Sequence, residues 1–481
     1  MSKKIHFVSL GCPKNRVDSE VMLGVAAGEG YAVTEDPSEA EVIVVNTCGF
    51  IGEAKRESIE TIFELSAMKE HGACERLVVS GCLSQRYPTE LSSQMPEVDH
   101  FLGSSDMLKL RDVLRGKAER MLVGNPADWV IRAADPRVIT GPRASAWVKI
   151  AEGCNRRCSF CVIPQLRGLQ RSRPADDVVR EVEQLVASGV REVNLVSQDT
   201  MAYGRDREDE DTNLAALARR IADVKGLRWL RLFYLYPEKV DDALSGAAGS
   251  SRKARVRTES LIDLLANHPV VLPYVDMPLQ HAADAMLRRM RRGCGRDRQK
   301  RVVETMRARI PNLTFRTAFI VGHPGETDEE FQELCDFVQW ARFERMGVFR
   351  YSDEETSHSA TLEGKVSGKT AASRHRKLMT LQRRISREKN RELVGKELDV
   401  LVCGPSDEHD LVLEGRHKGQ APDIDGKVYL SGGLAEPGEI RRVRISQASD
   451  YDLVGDIVAE QESGDAPAPK KRRVSLRVVG A

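Results

Sequence analysis

No stretch of this sequence approaches the ~18 consecutive apolar residues that a membrane span needs. No charge dominates either: 73 Lys and Arg face 72 Asp and Glu, a formal net of +1. That balance argues against a protein that coats nucleic acid through bulk charge, although a local basic patch stays open. The opening, MSKKIHFVSLGCPKN, carries two lysines but only a short apolar stretch, broken at Gly11. A secretory signal is therefore not expected, and a cytoplasmic location is. No internal repeat is visible. The chain of 481 residues is 41% hydrophobic and 30% charged, as soluble globular proteins are. Its length suggests about three domains.

The patterning predicts an α/β protein. Residues 1–115 alternate β-branched runs (IHFVSL, EVIVVN, RLVVS) with amphipathic stretches at about Val17–Glu29 and Glu53–Lys69. Continuous apolar strands separated by helices indicate a small open parallel sheet covered on both faces. Residues 116–143 read as a linker. From 144 to 370 six strand-like segments alternate with helices: AWVKIAE, VREVNLVS, LRWLRLFYLY, YVDMPL, TFRTAFIV and MGVFRYS. Repeated βα units predict a barrel or partial barrel with its chemistry at the carboxyl ends of the strands. Ser245–Arg257 reads as a surface insertion. A charged helical connector follows over 371–392, then a small β-barrel over 393–458. The last residues, 459–481, read as a disordered tail.

Ten cysteines carry more information than the charge. In a cytosolic chain they are not expected to form a disulfide framework, and clustered ones bind metal or do redox chemistry. EGCNRRCSFC places Cys154, Cys158 and Cys161 directly after the first strand of the second domain. Three thiolates can hold one cuboidal iron–sulfur cluster and leave its fourth iron open to a small molecule. Structural zinc wants four ligands, and the next histidine downstream is His268. Zinc or plain thiols remain the alternatives. A second set is brought together by position. Cys12, Cys48 and Cys82 each follow a strand of the first sheet by one or two residues. Such strand ends share one edge, where ligands bind in this architecture. The alternative is three unrelated buried cysteines. Cys74, Cys294, Cys335 and Cys403 are scattered and read as inert small hydrophobes.

Around the barrel mouth, GHPGE (Gly322–Glu326) predicts a tight turn at which backbone approaches a ligand, or an ordinary strand-to-helix turn. Arg167, Arg171 and Arg173 follow the cysteine loop. They would contact an anionic cofactor or substrate, or form a solvated charge run. His281 stands at a strand end and receives no role.

The motif EGCNRRCSFCVIPQLRG resembles the cluster loop of radical S-adenosylmethionine (SAM) enzymes. With Cys12, Cys48, Cys82 and a terminal β module similar to a TRAM domain, the chain resembles the methylthiotransferases. SLGCPKNRVDSE, VNTCGFIGEAKRESI and MPLQH are similar to the branch that modifies an aspartate of ribosomal protein S twelve. The branch that modifies a transfer RNA adenosine typically has GCQMN in place of GCPKN, and a Tyr-Thr pair where Gln165 and Leu166 stand. The resemblance spans Ile5 to Val458. It implies a small open α/β N-terminal domain, a radical SAM partial (β/α) barrel and a TRAM-like β-barrel. Cys154, Cys158 and Cys161 would hold the [4Fe-4S] cluster that binds SAM. Cys12, Cys48 and Cys82 would hold a second, auxiliary [4Fe-4S] cluster that delivers sulfur. Two SAM per turnover, a sulfur source on the auxiliary cluster, an electron donor and ribosomal protein S twelve, free or in the small subunit, complete the implied cofactors and partners; membrane and DNA are not among them. His323, where the family usually has Phe, the insertion and the basic tail depart from the pattern without removing a ligand.

This chemistry accounts for the parts. An aspartate β-carbon is far too weakly acidic for a side-chain base near neutral pH, so a cofactor must supply a radical. Charge helps to choose the substrate. Between Lys396 and Asp456, seven Lys and Arg face thirteen Asp and Glu, a net of −6. A module gripping RNA phosphates needs the opposite sign, whereas an acidic one suits a basic ribosomal protein. A transfer RNA adenosine methylthiotransferase is the alternative enzyme, and a non-catalytic metal-bearing ribosome-binding protein the alternative class.

Overall fold

The computed structural model describes residues 3–142, 144–207, 213–237, 240, 252–406, 409–458 and 478–479. The first sheet comprises β1 (Lys4–Ser9), β2 (Ala32–Val33), β3 (Val42–Thr47), β4 (Arg76–Gly81), β5 (His100–Leu102) and β6 (Met121–Leu122). Its strands are all parallel, in the order β2-β1-β3-β4-β5-β6. Every residue of β3 is buried, as a β-branched run covered on both faces should be. The stretch 116–143 differs from a plain linker. It adds β6 to this sheet and forms β7 (Arg137–Val138), which pairs antiparallel with β21 (Val478–Val479). The rest of the expected tail lies outside the described residues, as does the Ser245–Arg257 insertion up to Arg252, where helix Arg252–Asn267 begins.

Beyond β7, the six expected strands form one parallel sheet. They are β8 (Ser145–Lys149), β11 (Glu192–Val196), β12 (Trp229–Leu232), β13 (Val271–Asp276), β14 (Thr314–Val321) and β15 (Arg345–Arg350). They lie side by side in chain order, and the two end strands do not pair, so the barrel is open. Two short strands, β9 (Ala151–Glu152) and β10 (Arg171–Ser172), close a hairpin over the cysteine loop. Alternation along the strands sends Ala146, Val148, Val193 and Leu195 into the core under the helices. The opposite face carries Lys149, Glu192, Asn194, Arg231 and Asp276, all buried.

The connector is helix Gly368–Arg391, which starts before Ala371 because the Ser367 side chain caps it by accepting from the Thr370 N–H at 3.1 Å. It leads to a closed barrel of β16 (Glu397–Ser406), β17 (His409–His417), β18 (Val428–Ser431), β19 (Ile440–Ala448) and β20 (Leu453–Ile457), ordered β16-β17-β18-β20-β19. One apolar cluster joins all three parts, with Val17 and Val21 of the first domain, Trp147, Phe233 and Tyr274 of the open barrel, and Leu401 and Ala421 of the closed one.

The closed barrel plugs the amino-terminal end of the open one. Arg416 donates to Glu192 at 2.5 Å, Arg231 reaches Glu192 at 3.2 Å and the carbonyls of Lys418 and Gln420, and Ser145 donates to Glu192 at 2.8 Å. Burial alone would raise the Glu192 pKa, but Arg416 and Arg231 outweigh it and hold the carboxyl down at about 2.

Glu192→Gln leaves two buried guanidiniums without a counter-charge and should cost about 3–5 kcal/mol near neutral pH by denaturant unfolding; a cost below about 1 kcal/mol would contradict this plug. The folded pKa of Glu192 lies below its ordinary value of 4.5. Its contribution is therefore present above that value and lost as pH falls through about 2. The gap between wild type and Glu192→Gln should shrink over that window and stay constant above it.

Candidate functional site

Strands β1, β3 and β4 are neighbours, so their carboxyl ends lie side by side. Cys48 and Cys82 come one residue after β3 and β4. Cys12 comes three after β1, farther than expected, because Leu10 and Gly11 make a turn before helix α1 (Pro13–Gly28) begins. Gly11 has φ +92°, and a Cβ there would lie 2.9 Å from that of Cys48. Only glycine lets the two cysteine loops approach so closely. Asn15 ties the strand ends together, donating to the carbonyls of Leu10 at 3.0 Å and Thr47 at 2.9 Å.

Burial pushes the Cys48 thiol up to about 12, with Cys82 and Cys12 adding to the shift. Burial raises Cys82 too, against the pull of Arg167. Metal ligation requires thiolates, so a bound cluster must displace these protons.

The second set sits on a loop whose base is the β9–β10 hairpin. Gly153 has φ +79°, and a Cβ there would meet the Leu169 carbonyl at 2.1 Å. The Cys154 N–H donates to the Gly168 carbonyl at 3.1 Å, closing the loop. Each sulfur faces a nitrogen donor: Arg156 N–H on Cys154 at 3.4 Å, Arg292 Nη1 on Cys158 at 3.4 Å, and Ile163 N–H on Cys161 at 3.5 Å. Such donors stabilise negative sulfur. Burial raises Cys154 to about 11 and Cys161 to about 12. Arg156 and Arg292 stack on Tyr236, at 4.1 and 4.4 Å from the ring centroid.

Among the described residues, no three His, Cys, Asp or Glu side chains close around a single metal ion. A polynuclear cluster, in which each thiolate takes a different iron, would be held by three thiols on each side. The donors fit such a group: they are all thiols, they are half-buried or buried, and the loop's three each face an N–H.

The two sets meet across a seam with an apolar patch. Cys82 packs on Val162 and Leu166 of the second loop, with Phe50 against them. Beside this contact, Arg167 crosses from the barrel to the first domain. It donates to Asp18 at 2.7 Å and to Asn15 Oδ1 at 2.5 Å. Lys149 bridges Asp18 and Glu152, both at 2.6 Å, and Gln198 donates to Glu152 at 2.5 Å. Burial opposes the charge on Glu152, but Lys149 and Arg167 hold its pKa at about 2.

The other expected residues are placed as follows. The arginine run is not a solvated face: Arg167 and Arg173 are buried. Arg173 pairs with Asp177 at 2.7 Å and with Glu181 at 2.5 Å, while Arg171 donates to the carbonyls of Pro126 and Leu169. Gly322 and Gly325 both have positive φ, as a tight turn requires. His323 is buried, bonds Ser359 Oγ at 2.7 Å, and is lowered by burial to about 4. Ser359 in turn bonds Ser159 of the cysteine loop at 2.8 Å. His281 pairs with Glu326 at 3.1 Å, which Arg374 also binds at 2.8 Å.

Sequence reasoning missed Lys14, Asp18, Lys149, Tyr234, Tyr236 and Arg292. A signal existed for the first two. A helix covered on both faces in an open α/β sheet should not carry Lys, Asn, Asp and Glu among its valines unless they are paired.

Three family models match the chain: Uncharacterized protein family UPF0004 over residues 4–103, the Radical SAM superfamily over 148–338, and a TRAM domain over 394–458. A protein of Sorangium cellulosum, "Ribosomal protein uS12 methylthiotransferase RimO", is 67% identical over 99% of this chain and 98% of its own. Proteins of the same description from Myxococcus xanthus and an Anaeromyxobacter strain are 47% and 46% identical, each over 99% of this chain and over 94% and 99% of their own. None of these three names refers to transfer RNA or to a non-catalytic role. No described helix is long and apolar enough to cross a membrane. Full-length identity and three matched domains in order lead to one conclusion: this chain belongs to the RimO family of radical SAM methylthiotransferases.

Proposed function

We propose that this protein adds a methylthio group to the β-carbon of an aspartate in ribosomal protein uS12, in the cytoplasm and at the expense of an external electron donor. Cys154, Cys158 and Cys161 hold the cluster that binds SAM. Cys12, Cys48 and Cys82 hold the auxiliary cluster. The observation that carries this reading is the pair of thiol triads on either side of one buried seam, joined by Arg167. When bound, SAM and the two clusters supply the radical that takes the β-hydrogen and the sulfur and methyl that replace it. The chain's own residues position and protect. Asp18 and Asn15 fix Arg167, and Arg167 fixes the second loop against the first domain. Cys82, Val162, Leu166 and Phe50 keep water from the path between the sites. Arg292 donates to Cys158 Sγ.

The net −6 of the terminal module favours a basic protein over RNA as substrate. That module's Arg416 is spent on Glu192 and adds nothing to an RNA-binding face.

Separate alanine replacement of the two triads should divide the chemistry. Variants lacking Cys12, Cys48 and Cys82 should still cleave SAM to 5′-deoxyadenosine after anaerobic reconstitution, yet leave uS12 unmodified. Variants lacking Cys154, Cys158 and Cys161 should do neither. Mass spectrometry of uS12 from cells with and without the gene should show the methylthio mass on aspartate only with it. Intact uS12 modification in the deletion strain, with a transfer RNA nucleoside lost instead, would reverse the substrate assignment.

A further inference from the structure

Beside the seam lies a buried cation with no carboxylate in ion-pair contact. Lys14 stands two residues beyond Cys12 and is 8% exposed. Its ammonium sits 3.7 Å from the centroid of the Tyr234 ring. The nearby acids are taken: Asp18 by Lys149 and Arg167, Glu152 by Lys149 and Gln198. Three buried cations, Lys14, Lys149 and Arg167, therefore share two buried carboxylates. A desolvated ammonium without a counter-charge is costly, and an aromatic face compensates only in part. Tyr234 and Cys12 are the partners beside the Lys14 ammonium, and no carboxylate is left to pair with it.

Tyr234 is itself unusual. Its φ is +57°, rare for a bulky side chain. The backbone is held there because its N–H donates to Asp276 Oδ2 at 3.1 Å and its carbonyl accepts from the Thr200 N–H at 3.2 Å. Strain of this kind concentrates at functional sites. Tyr234 follows the carboxyl end of β12, the end at which such barrels bind ligands, and is only half-buried.

We propose that the Lys14 ammonium, backed by Tyr234, receives the side-chain carboxylate of the aspartate that is modified. The assignment rests on the function proposed above and adds the residue that selects the substrate. The reacting β-carbon is one bond from that carboxylate. A cation beside Cys12, on the seam with the SAM-binding loop, thus fixes the carbon between the two thiol sets. It also discriminates, because asparagine brings no charge to a desolvated ammonium.

The test uses full-length, anaerobically reconstituted enzyme and two uS12 peptides, one with the target aspartate and one with asparagine in its place. Methylthiolation of each is rated by mass spectrometry, and iron is counted on every sample. Wild type should favour the aspartate peptide. Lys14→Met should reduce that preference about tenfold or more with iron retained, and Lys14→Arg should keep most of it. The ratio is taken within one variant, so a general loss of activity does not move it. Should Lys14→Met turn over too slowly, the ratio of peptide affinities by fluorescence anisotropy reads the same quantity. Full preference in Lys14→Met overturns the assignment. So does loss of auxiliary iron with the ratio of peptide affinities unchanged, which would make Lys14 a counter-charge to the thiolates. Wild type that modifies neither peptide nor whole uS12 would instead sink the functional reading itself.

Discussion

Asp18 accepts from both Lys149 and Arg167 in the seam between the first domain and the open barrel. That carboxylate ties the start of the first domain's helix to the barrel. It sits on α1, which begins right after Cys12, and its partners flank the loop bearing Cys154, Cys158 and Cys161. Buried ion pairs are poor sources of stability, because desolvation offsets most of their attraction. Their use here is orientation. An apolar seam would tolerate sliding, whereas paired charges that cannot reach water permit one register. Chemistry between groups on two domains would need such a register, since a misplacement of about 1 Å can cost about a hundredfold in rate.

The same device recurs at the other end of the barrel. Glu192 gathers Arg231 from the barrel and Arg416 from the terminal module, and Tyr274 donates to Asp425 at 2.7 Å. The module thereby closes the amino-terminal end and leaves the carboxyl end for chemistry. A strap from the barrel completes the clasp: Glu354 binds Lys55 at 2.8 Å and Arg86 at 2.6 Å, and Arg86 donates to the Gly49 carbonyl beside Cys48. The barrel thereby grips the first domain beside the Cys48 loop.

Much of this was legible in the sequence. The six barrel strands announce themselves as β-branched or aromatic runs, and three cysteines at strand ends imply one shared edge once the sheet is parallel. Short edge elements such as β2 and β5 carry too few residues to show a period, and β20 was hidden among acidic neighbours in DLVGDIV. The buried charges were harder. Asp18, Arg167 and Glu192 look like surface residues in a chain that is 30% charged. Which acid meets which base is decided by packing between domains, and no local pattern encodes it. Lys14 is the sharpest case, since nothing in GCPKN says that its ammonium will lie on the Tyr234 ring.

The central claim is that two iron–sulfur clusters face each other across this seam at a fixed separation. Pulsed electron paramagnetic resonance on the anaerobically reconstituted, reduced enzyme tests it directly. Dipolar coupling between two paramagnetic clusters should be present, and Cys48→Ala should abolish it. Two clusters that relax independently, or the spectrum of a single cluster after full loading with iron and sulfide, would contradict the account.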